Sequence, residues 1–205
     1  MAVRLCSMVM GPVATNVYYI YDEDNKEAVV IDPAVKGQWI YDHLLGKGIS
    51  VSAILITHGH FDHITGVNEL REASGAEVYA PLAEKEMLAD PSLNLSDENV
   101  TVKADHDVTD GEELSFSGFR LRVVETPGHT GGGCCYYCEQ EKFLISGDTL
   151  FAGSIGRTDL PTGSHTTLIR SVKEKLMTLP DDVTVYPGHG TSTTIGEERK
   201  YNPYV

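Results

Sequence analysis

Residues 57–63, with the sequence Thr-His-Gly-His-Phe-Asp-His, constrain this chain more than any other feature. Three histidines and one aspartate fall within six positions, directly after a run of apolar residues. His58 and His60 are two residues apart, so on an extended segment their side chains point to the same side. Asp62 and His63 follow where the chain turns, and they can face a second point nearby. We therefore predict that this loop supplies half of the ligands of two adjacent metal sites.

The residue types in the loop narrow the choice of metal. Imidazole and carboxylate groups ligate Zn(II), Fe(II) and Mn(II), and the absence of cysteine from the loop argues against a thiolate-rich structural zinc. The alternative interpretation is a solvated, histidine-rich surface loop. The chain has eight histidines, and three of them lie in this one loop. Because packing alone rarely requires such a density, we favour the metal site.

Composition sets the class of protein. A chain of 205 residues that is 41% hydrophobic can bury a sizeable core. The net charge of −14, with 16 basic and 30 acidic residues, argues against nucleic acid as a partner. The four cysteines form no spaced disulfide framework, which fits a reducing compartment. With no signal-peptide pattern and no apolar run near the ~20 residues of a membrane helix, we expect a cytoplasmic protein that acts on small molecules without a membrane partner.

One arrangement recurs along the chain: a predicted strand runs into glycine and then into a potential metal ligand. The predicted strand at 121–125 precedes His129, the strand at 143–146 precedes Asp148, and the strand at 183–186 precedes His189. Strand ends with flexible glycines can gather such ligands into one site. Helical spacing of apolar residues predicts helices over 38–47, 64–73 and 165–179. We predict one domain over residues 1–205, an α/β fold of two sheets flanked by helices.

Two other motifs carry weaker signals. Cys135-x-x-Cys138 has the spacing of a redox or zinc motif, but it lies in an apolar strand without a second cysteine pair, so buried strand cysteines are the better interpretation. The three glycines at 131–133 lack the Gly-Lys-Ser/Thr ending of a phosphate loop. Three further histidines are interpreted as surface or packing residues: His43, His106 and His165.

This pattern resembles the metallo-β-lactamase superfamily. The resemblance rests on residues 57–63, on His129 in Thr-Pro-Gly-His-Thr, on Asp148 in Ser-Gly-Asp-Thr-Leu and on His189 in Tyr-Pro-Gly-His-Gly, and it spans almost the whole chain. It implies a four-layer αββα sandwich with two divalent metal ions per chain at the edge of the sheets: zinc first, with iron or manganese as alternatives. Asp148 would bridge the two ions. The other ligands would divide into two sets, His58, His60 and His129 for the first metal and Asp62, His63 and His189 for the second.

Within the superfamily, the chain looks most like the glyoxalase II group, the hydroxyacylglutathione hydrolases. It shares Gly-Arg-Thr-Asp at 156–159 with that group and with the related persulfide dioxygenases. True β-lactamases place Cys or Ser where Asp148 stands, so the resemblance disfavours antibiotic hydrolysis. Glyoxalase II also has a C-terminal helical domain that grips glutathione, and this sequence ends 16 residues after His189. Gly190 follows His189, where glyoxalase II has a tyrosine that contacts glutathione. The resemblance therefore implies the hydrolytic centre without the glutathione site.

The expected activity is hydrolysis of S-lactoylglutathione or a similar acyl thioester by a metal-bound hydroxide. Asp62 would orient the nucleophile while it ligates the second metal. Arg157 follows the bridging ligand on a loop where substrates are usually met, so we predict that it binds an anionic substrate, against the alternative of a buried salt bridge with Asp159. Two other functions stay open: a persulfide dioxygenase with a single iron, and a metal-binding module without catalysis.

Overall fold

The computed structural model describes residues 2–205 and consists of two six-stranded sheets with helices on their outer sides. In chain order the strands are β1 Val3–Met10, β2 Thr15–Asp22, β3 Glu27–Ile31, β4 Ser50–Leu55, β5 Glu77–Pro81, β6 His106–Val108, β7 Glu113–Phe116, β8 Phe119–Glu125, β9 Cys134–Cys138, β10 Phe143–Gly147, β11 Leu150–Phe151, β12 Ser154–Ile155, β13 Thr184–Pro187 and β14 Thr193–Thr194. The first sheet has the order β1-β2-β3-β4-β5-β6, and the second has the order β14-β13-β10-β9-β8-β7. Strands β11 and β12 form a separate small hairpin.

Helices cover the outer faces of both sheets. In chain order they are α1 Gly37–Leu45, α2 Phe61–Ile64, α3 Val67–Ser74, α4 Lys85–Ala89, α5 Pro91–Asn94, α6 His165–Glu174 and α7 Ile195–Tyr201. Within residues 2–205, no helix combines the length and the apolar character that crossing a membrane requires.

Strand β3 shows why the chain forms layers. Its residues alternate between two faces: Val29 and Ile31 belong to the core between the sheets, whereas Ala28 and Val30 belong to the core beneath the helices. All four are fully buried, as expected of a strand covered on both sides. Burying an aliphatic side chain contributes about 1.5–3 kcal/mol, so this strand stabilises both layers.

Each outer layer is closed by an amphipathic helix. Ile40 and Leu44 of α1 pack with the first sheet, and Leu168 and Val172 of α6 pack with the second. The arrangement is the four-layer αββα sandwich that the resemblance implies, so the predicted fold class is confirmed.

The predicted helix over 64–73 is interrupted in the structure. It divides into α2 and α3 around Gly66, whose N–H donates to the carbonyl of Pro33 at 2.8 Å. A Cβ at Gly66 would lie 2.6 Å from that carbonyl oxygen. The chain therefore bends at the one residue small enough for this approach, and the bend separates the histidine-rich loop from the longer helix.

Candidate metal centre

The predicted site residues meet at one edge of the two sheets. Strands β3, β4, β5 and β6 run parallel to one another, and β10 runs parallel to β13, so the loops that follow their carboxyl ends gather at one edge. Two backbone hydrogen bonds join these loops: Cys134 N–H donates to the Thr57 carbonyl at 2.9 Å, and Gly188 N–H donates to the Gly147 carbonyl at 2.8 Å. The ligand loops are thus fixed to one another by main-chain contacts.

Three histidines form the first cluster. Nitrogen atoms of His58, His60 and His129 lie within 4.8 Å of one another, and His60 Nδ1 is 3.0 Å from His129 Nε2. All three residues are buried.

A second cluster adjoins the first. It consists of Asp62, His63 and His189, whose ligand atoms also lie within 4.8 Å of one another. Asp148 lies between the two clusters, with Oδ2 3.5 Å from His129 Nε2 and 3.6 Å from His189 Nε2. The structure therefore brings all seven predicted ligands together, while their binding of metal stays a prediction.

Unpaired polar atoms test whether these residues fit a metal pair. Within residues 2–205, six buried side-chain nitrogen or oxygen atoms have no hydrogen-bond partner. Four of the six belong to this cluster: His58 Nε2, His60 Nε2, His63 Nε2 and Asp148 Oδ1. A buried polar atom without a partner costs about 1–3 kcal/mol, and divalent metals would satisfy these nitrogen and oxygen donors. The residues present therefore fit the metals that the sequence implies.

The first cluster is electrostatically prepared to bind a cation. Burial and the neighbouring histidines lower the pKa of His58 well below its ordinary value and the pKa of His60 to about 3. Burial also lowers the pKa of His129. The three imidazoles are therefore neutral at pH 7, which is the form that ligates metals.

The second cluster behaves differently because it contains carboxylates. Burial alone would lower the pKa of His63, but the carboxylates of Asp32 and Asp148 outweigh it and raise the pKa to about 10. Burial pushes the pKa of Asp62 upwards, yet the hydrogen bond from His189 and the charge of His63 hold it below its usual range. Without metal, this cluster is an imidazolium–carboxylate network, and metal binding would displace its protons.

Asp32 belongs to the site although the sequence analysis did not select it. Its carboxylate accepts hydrogen bonds from the Thr57 amide at 2.7 Å and from the Thr57 hydroxyl at 2.6 Å, and it lies 2.9 Å from His63 Nδ1. A carboxylate on Nδ1 leaves Nε2 as the ligand nitrogen. Asp32 is buried and has a φ of 50°, a left-handed conformation that is costly for a non-glycine residue and is often found at functional sites.

A signal for Asp32 was present in the sequence. Strand β3 runs directly into Asp32, just as other strands run into ligands, but the following proline made this residue resemble a simple strand end.

Backbone and hydroxyl groups orient other ligands. His129 Nδ1 lies 2.7 Å from the Arg157 carbonyl, which directs Nε2 toward the cluster. His58 Nδ1 lies 3.0 Å from the Thr57 hydroxyl. The Thr15 hydroxyl donates to Asp62 at 2.8 Å.

The side chain of Arg157 lies at the surface. Its guanidinium makes two hydrogen bonds of 2.7 Å to Asp159, and 61% of the side chain is exposed. The alternative to substrate binding was a buried salt bridge between Arg157 and Asp159. The structure has this salt bridge, but it is exposed. Solvent screens an exposed pair of this kind, so it contributes little to stability. Substrate binding by Arg157 stays a prediction.

The residues interpreted as bystanders lie outside both clusters. His43 stacks on Trp39 at 4.9 Å, and His106 stacks on Tyr79 at 4.3 Å. His165 begins α6. Cys135 and Cys138 are free, buried residues of β9, which confirms the interpretation as strand cysteines.

Comparison with known proteins places this site in a family. The model of the metallo-β-lactamase superfamily matches residues 10–189. The probable metallo-hydrolase YqgX of Bacillus subtilis is 41% identical over 203 residues, covering 97% of this chain and 95% of the relative. The hydroxyacylglutathione hydrolase GloC of Haemophilus influenzae is 33% identical over 189 residues, covering 89% of each chain.

Two solved structures are also similar to this chain in both sequence and fold. The BLEG-1 B3 metallo-β-lactamase has a TM-score of 0.92 and 40% identity, covering 98% of this chain and 99% of the other. TTHA1623, solved in a di-iron-bound form, has a TM-score of 0.84 and 30% identity, covering 98% of this chain and 100% of the other. The αββα sandwich, the histidine and aspartate clusters at its edge and the match over residues 10–189 lead to one conclusion: the chain belongs to the metallo-β-lactamase superfamily.

Proposed function

We propose that this chain is a metal-dependent thioesterase of the glyoxalase II type, which hydrolyses S-lactoylglutathione or a similar acyl thioester to the free acid and the thiol. The observation that carries the proposal is the position of Asp148, within 3.6 Å of ligand nitrogens of both clusters. The resemblance gives β-lactamases Cys or Ser at this position and gives the glyoxalase II group an aspartate that bridges two metals. The GloC relative, named a hydroxyacylglutathione hydrolase, supports the same assignment.

The clusters define which residues would hold the metals. His58, His60 and His129 would hold the first metal, Asp62, His63 and His189 the second, and Asp148 both. Divalent metals bound there would supply Lewis acidity, which makes a water acidic enough to attack at neutral pH and polarises a carbonyl group. The histidine and carboxylate donors are compatible with zinc, iron or manganese.

Asp62 is the residue that we assign to orientation of the attacking water. Its Oδ2 accepts from the Thr15 hydroxyl at 2.8 Å and lies 3.2 Å from His189 Nε2. The Thr15 hydroxyl is not a ligand and would keep this contact when metal is bound, so it restricts the rotation of the carboxylate and gives its second oxygen a defined direction for accepting a proton from water. The low pKa of Asp62 keeps the group ionised at pH 7.

Departure of the thiol and binding of the substrate require few further groups. A thiolate leaves readily without a proton, so thioester hydrolysis needs no separate general acid. In this proposal the exposed guanidinium of Arg157 pairs with an anionic group of the substrate. Because Gly190 follows His189 in place of the tyrosine of glyoxalase II, we expect loose selection of the thiol and turnover of several small thioesters.

A second candidate function is β-lactam hydrolysis. The observation in its favour is the likeness to BLEG-1, titled a B3 metallo-β-lactamase, at 40% identity. Asp148 argues against it for the reason given above. A persulfide dioxygenase, the third activity that these ligands allow, would consume oxygen and would use a single iron.

One set of assays separates these activities. The protein, loaded in turn with zinc, iron and manganese, is assayed with lactoyl and acetyl thioesters of glutathione and of simpler thiols. A chromogenic cephalosporin and glutathione persulfide, the latter in an oxygen electrode, are assayed beside them. We expect hydrolysis of the thioesters, abolished by Asp148→Ala and retained in His43→Ala. A protein with two bound metals that leaves every thioester intact would refute the proposal.

A further inference from the structure

The segment formed by the 3-10 turn Leu82–Glu84 and by α4 lies against two of the metal-ligand loops. Glu84 is 1% exposed. Its Oε2 accepts a hydrogen bond from the Gly59 N–H at 2.7 Å, and its Oε1 accepts one from the Gly132 N–H at 2.7 Å. Gly59 lies between the ligands His58 and His60 in the sequence, and Gly132 lies three residues after the ligand His129. One buried carboxylate therefore joins the two loops that carry the first ligand set.

Close packing of the two glycines reinforces this connection. A Cβ at Gly132 would lie 2.5 Å from the backbone carbon of Ala83, and a Cβ at Gly59 would lie 2.7 Å from Cγ of Met87. Gly132 thus approaches the backbone of this segment so closely that only glycine fits, and Gly59 packs directly against the Met87 side chain. Within the run of three glycines at 131–133, the contact with Ala83 explains why a glycine stands at position 132.

The energetics favour a role beyond packing. A buried carboxylate is costly unless hydrogen-bond donors satisfy it, and here each oxygen has a backbone donor. Hydrogen bonds to a charged acceptor are about twice as strong as neutral ones. Removing the acceptor would leave two buried N–H groups unpaired and would loosen the two loops around Gly59 and Gly132. The backbone hydrogen bond between Cys134 and Thr57 would still join these loops.

We propose that Glu84 is a positioning residue that holds the loops of His58, His60 and His129 at the separation needed to bind the first metal, an inference that rests on the proposed function. Glu84 has no hydrogen bond to the second ligand set among the described residues. Its two bonds flank His58, His60 and His129, so it acts through the backbone mainly on the first metal site, although the 57–63 loop also carries Asp62 and His63.

Glu84→Gln is the most informative substitution, because it preserves the size of the side chain and removes one of its two acceptor oxygens. The glutamine oxygen can accept from one of the two glycine amides, whereas the NH₂ group faces the other amide as a donor facing a donor. Glu198→Gln is the matched control. Glu198 is 3% exposed and accepts from the Gly153 N–H at 2.9 Å and from the Thr193 hydroxyl at 2.6 Å, so it makes similar bonds to segments without ligands.

Metal affinity is measured one site at a time. A His189→Ala background leaves the first ligand set complete, and a His129→Ala background leaves the second. Competition with a chromophoric chelator gives the Zn(II) affinity in each. We expect Glu84→Gln to weaken the first site by about 10- to 100-fold, the range for groups that orient ligands, and to change the second site by less than about twofold. Glu198→Gln should change neither.

Hydrogen exchange of the metal-free protein gives an independent measurement. In Glu84→Gln the amide of Gly59 or of Gly132 should exchange faster, and in Glu84→Ala both should, while Glu198→Gln leaves them protected. Unchanged first-site affinity in Glu84→Gln, with two metals bound by the wild type, would overturn the positioning role alone. A wild type that binds no metal at these ligands would overturn the proposed function, and the positioning role with it.

Discussion

Asp32→Asn tests the second metal site with the smallest change in shape. The asparagine oxygen can replace Oδ1 and accept from the Thr57 amide, now 2.7 Å away. Its NH₂ group then stands where Oδ2 stood, 2.9 Å from His63 Nδ1. The Thr57 hydroxyl can rotate and accept, but Nδ1 of His63 can accept only if the imidazole proton moves to Nε2. A protonated Nε2 cannot ligate a metal.

The expected loss follows from this tautomer change. Groups that orient a ligating histidine contribute about 10- to 100-fold to metal affinity, which corresponds to about 1.4–2.7 kcal/mol. We expect the second site to weaken by this amount and the first site to change less, because Asp32 reaches its histidines only through the Thr57 hydroxyl, which lies 3.0 Å from His58 Nδ1.

The metal-free protein should also lose stability in a pH-dependent manner. The pKa of His63 is raised from 6.5 to about 10 in the folded chain. Its ion pair with Asp32 is therefore fully stabilising below about pH 6.5, and the stabilisation is lost as the pH rises toward 10. A charge-assisted hydrogen bond contributes about 1.5–3 kcal/mol, so Asp32→Asn should lower the free energy of unfolding by about this amount at pH 6 and by much less at pH 10.

The assay combines Zn(II) competition with measurement of the free energy of unfolding of the metal-free protein at pH 6 and pH 10. Asp22→Asn is the control, because Asp22 is fully buried and accepts from a backbone amide at 2.7 Å but touches no ligand. An Asp32→Asn protein that binds two zinc ions with wild-type affinity would refute the reasoning about the tautomer.

Three further predictions extend the tests. His129→Ala should lose the first metal and most hydrolysis, whereas His43→Ala should keep both; equal losses in metal content and turnover would show that the site is misassigned. Arg157→Ala should raise KM with little change in Tm, because the side chain is exposed, and a large fall in Tm would favour a structural role instead. Burial raises the pKa of Cys135 to about 11, so at pH 8 the folded protein should react with a thiol reagent at the partly buried Cys6 and not at Cys135; rapid modification of Cys135 would contradict the packing of β9.

Local sequence patterns predicted much of the fold and most of the site. The spacing of Ile40 and Leu44 predicted a helix over 38–47, and the structure has it at Gly37–Leu45. The density of ligands in residues 57–63 pointed to a metal site without any knowledge of distant contacts. Both signals are local, which is why they can be read from one segment at a time.

The residues that hold the site together were missed because their contacts are distant in sequence. Glu84 accepts a hydrogen bond from Gly132, which is 48 residues away, and no pattern within residues 82–89 predicts that contact. Asp32 meets His63 across 31 residues. The break at Gly66 was missed for the same reason, since it depends on the approach of Pro33. Supporting residues of this kind appear only when the folded chain brings the loops together.

The most direct test of the central claim is the crystal structure of the zinc-loaded protein, with anomalous diffraction used to locate the metals. We predict two peaks separated by about 3.5–4 Å. One peak should contact His58, His60 and His129, and the other should contact Asp62, His63 and His189. The carboxylate of Asp148 should touch both. A single peak, or two peaks that Asp148 does not bridge, would contradict the account.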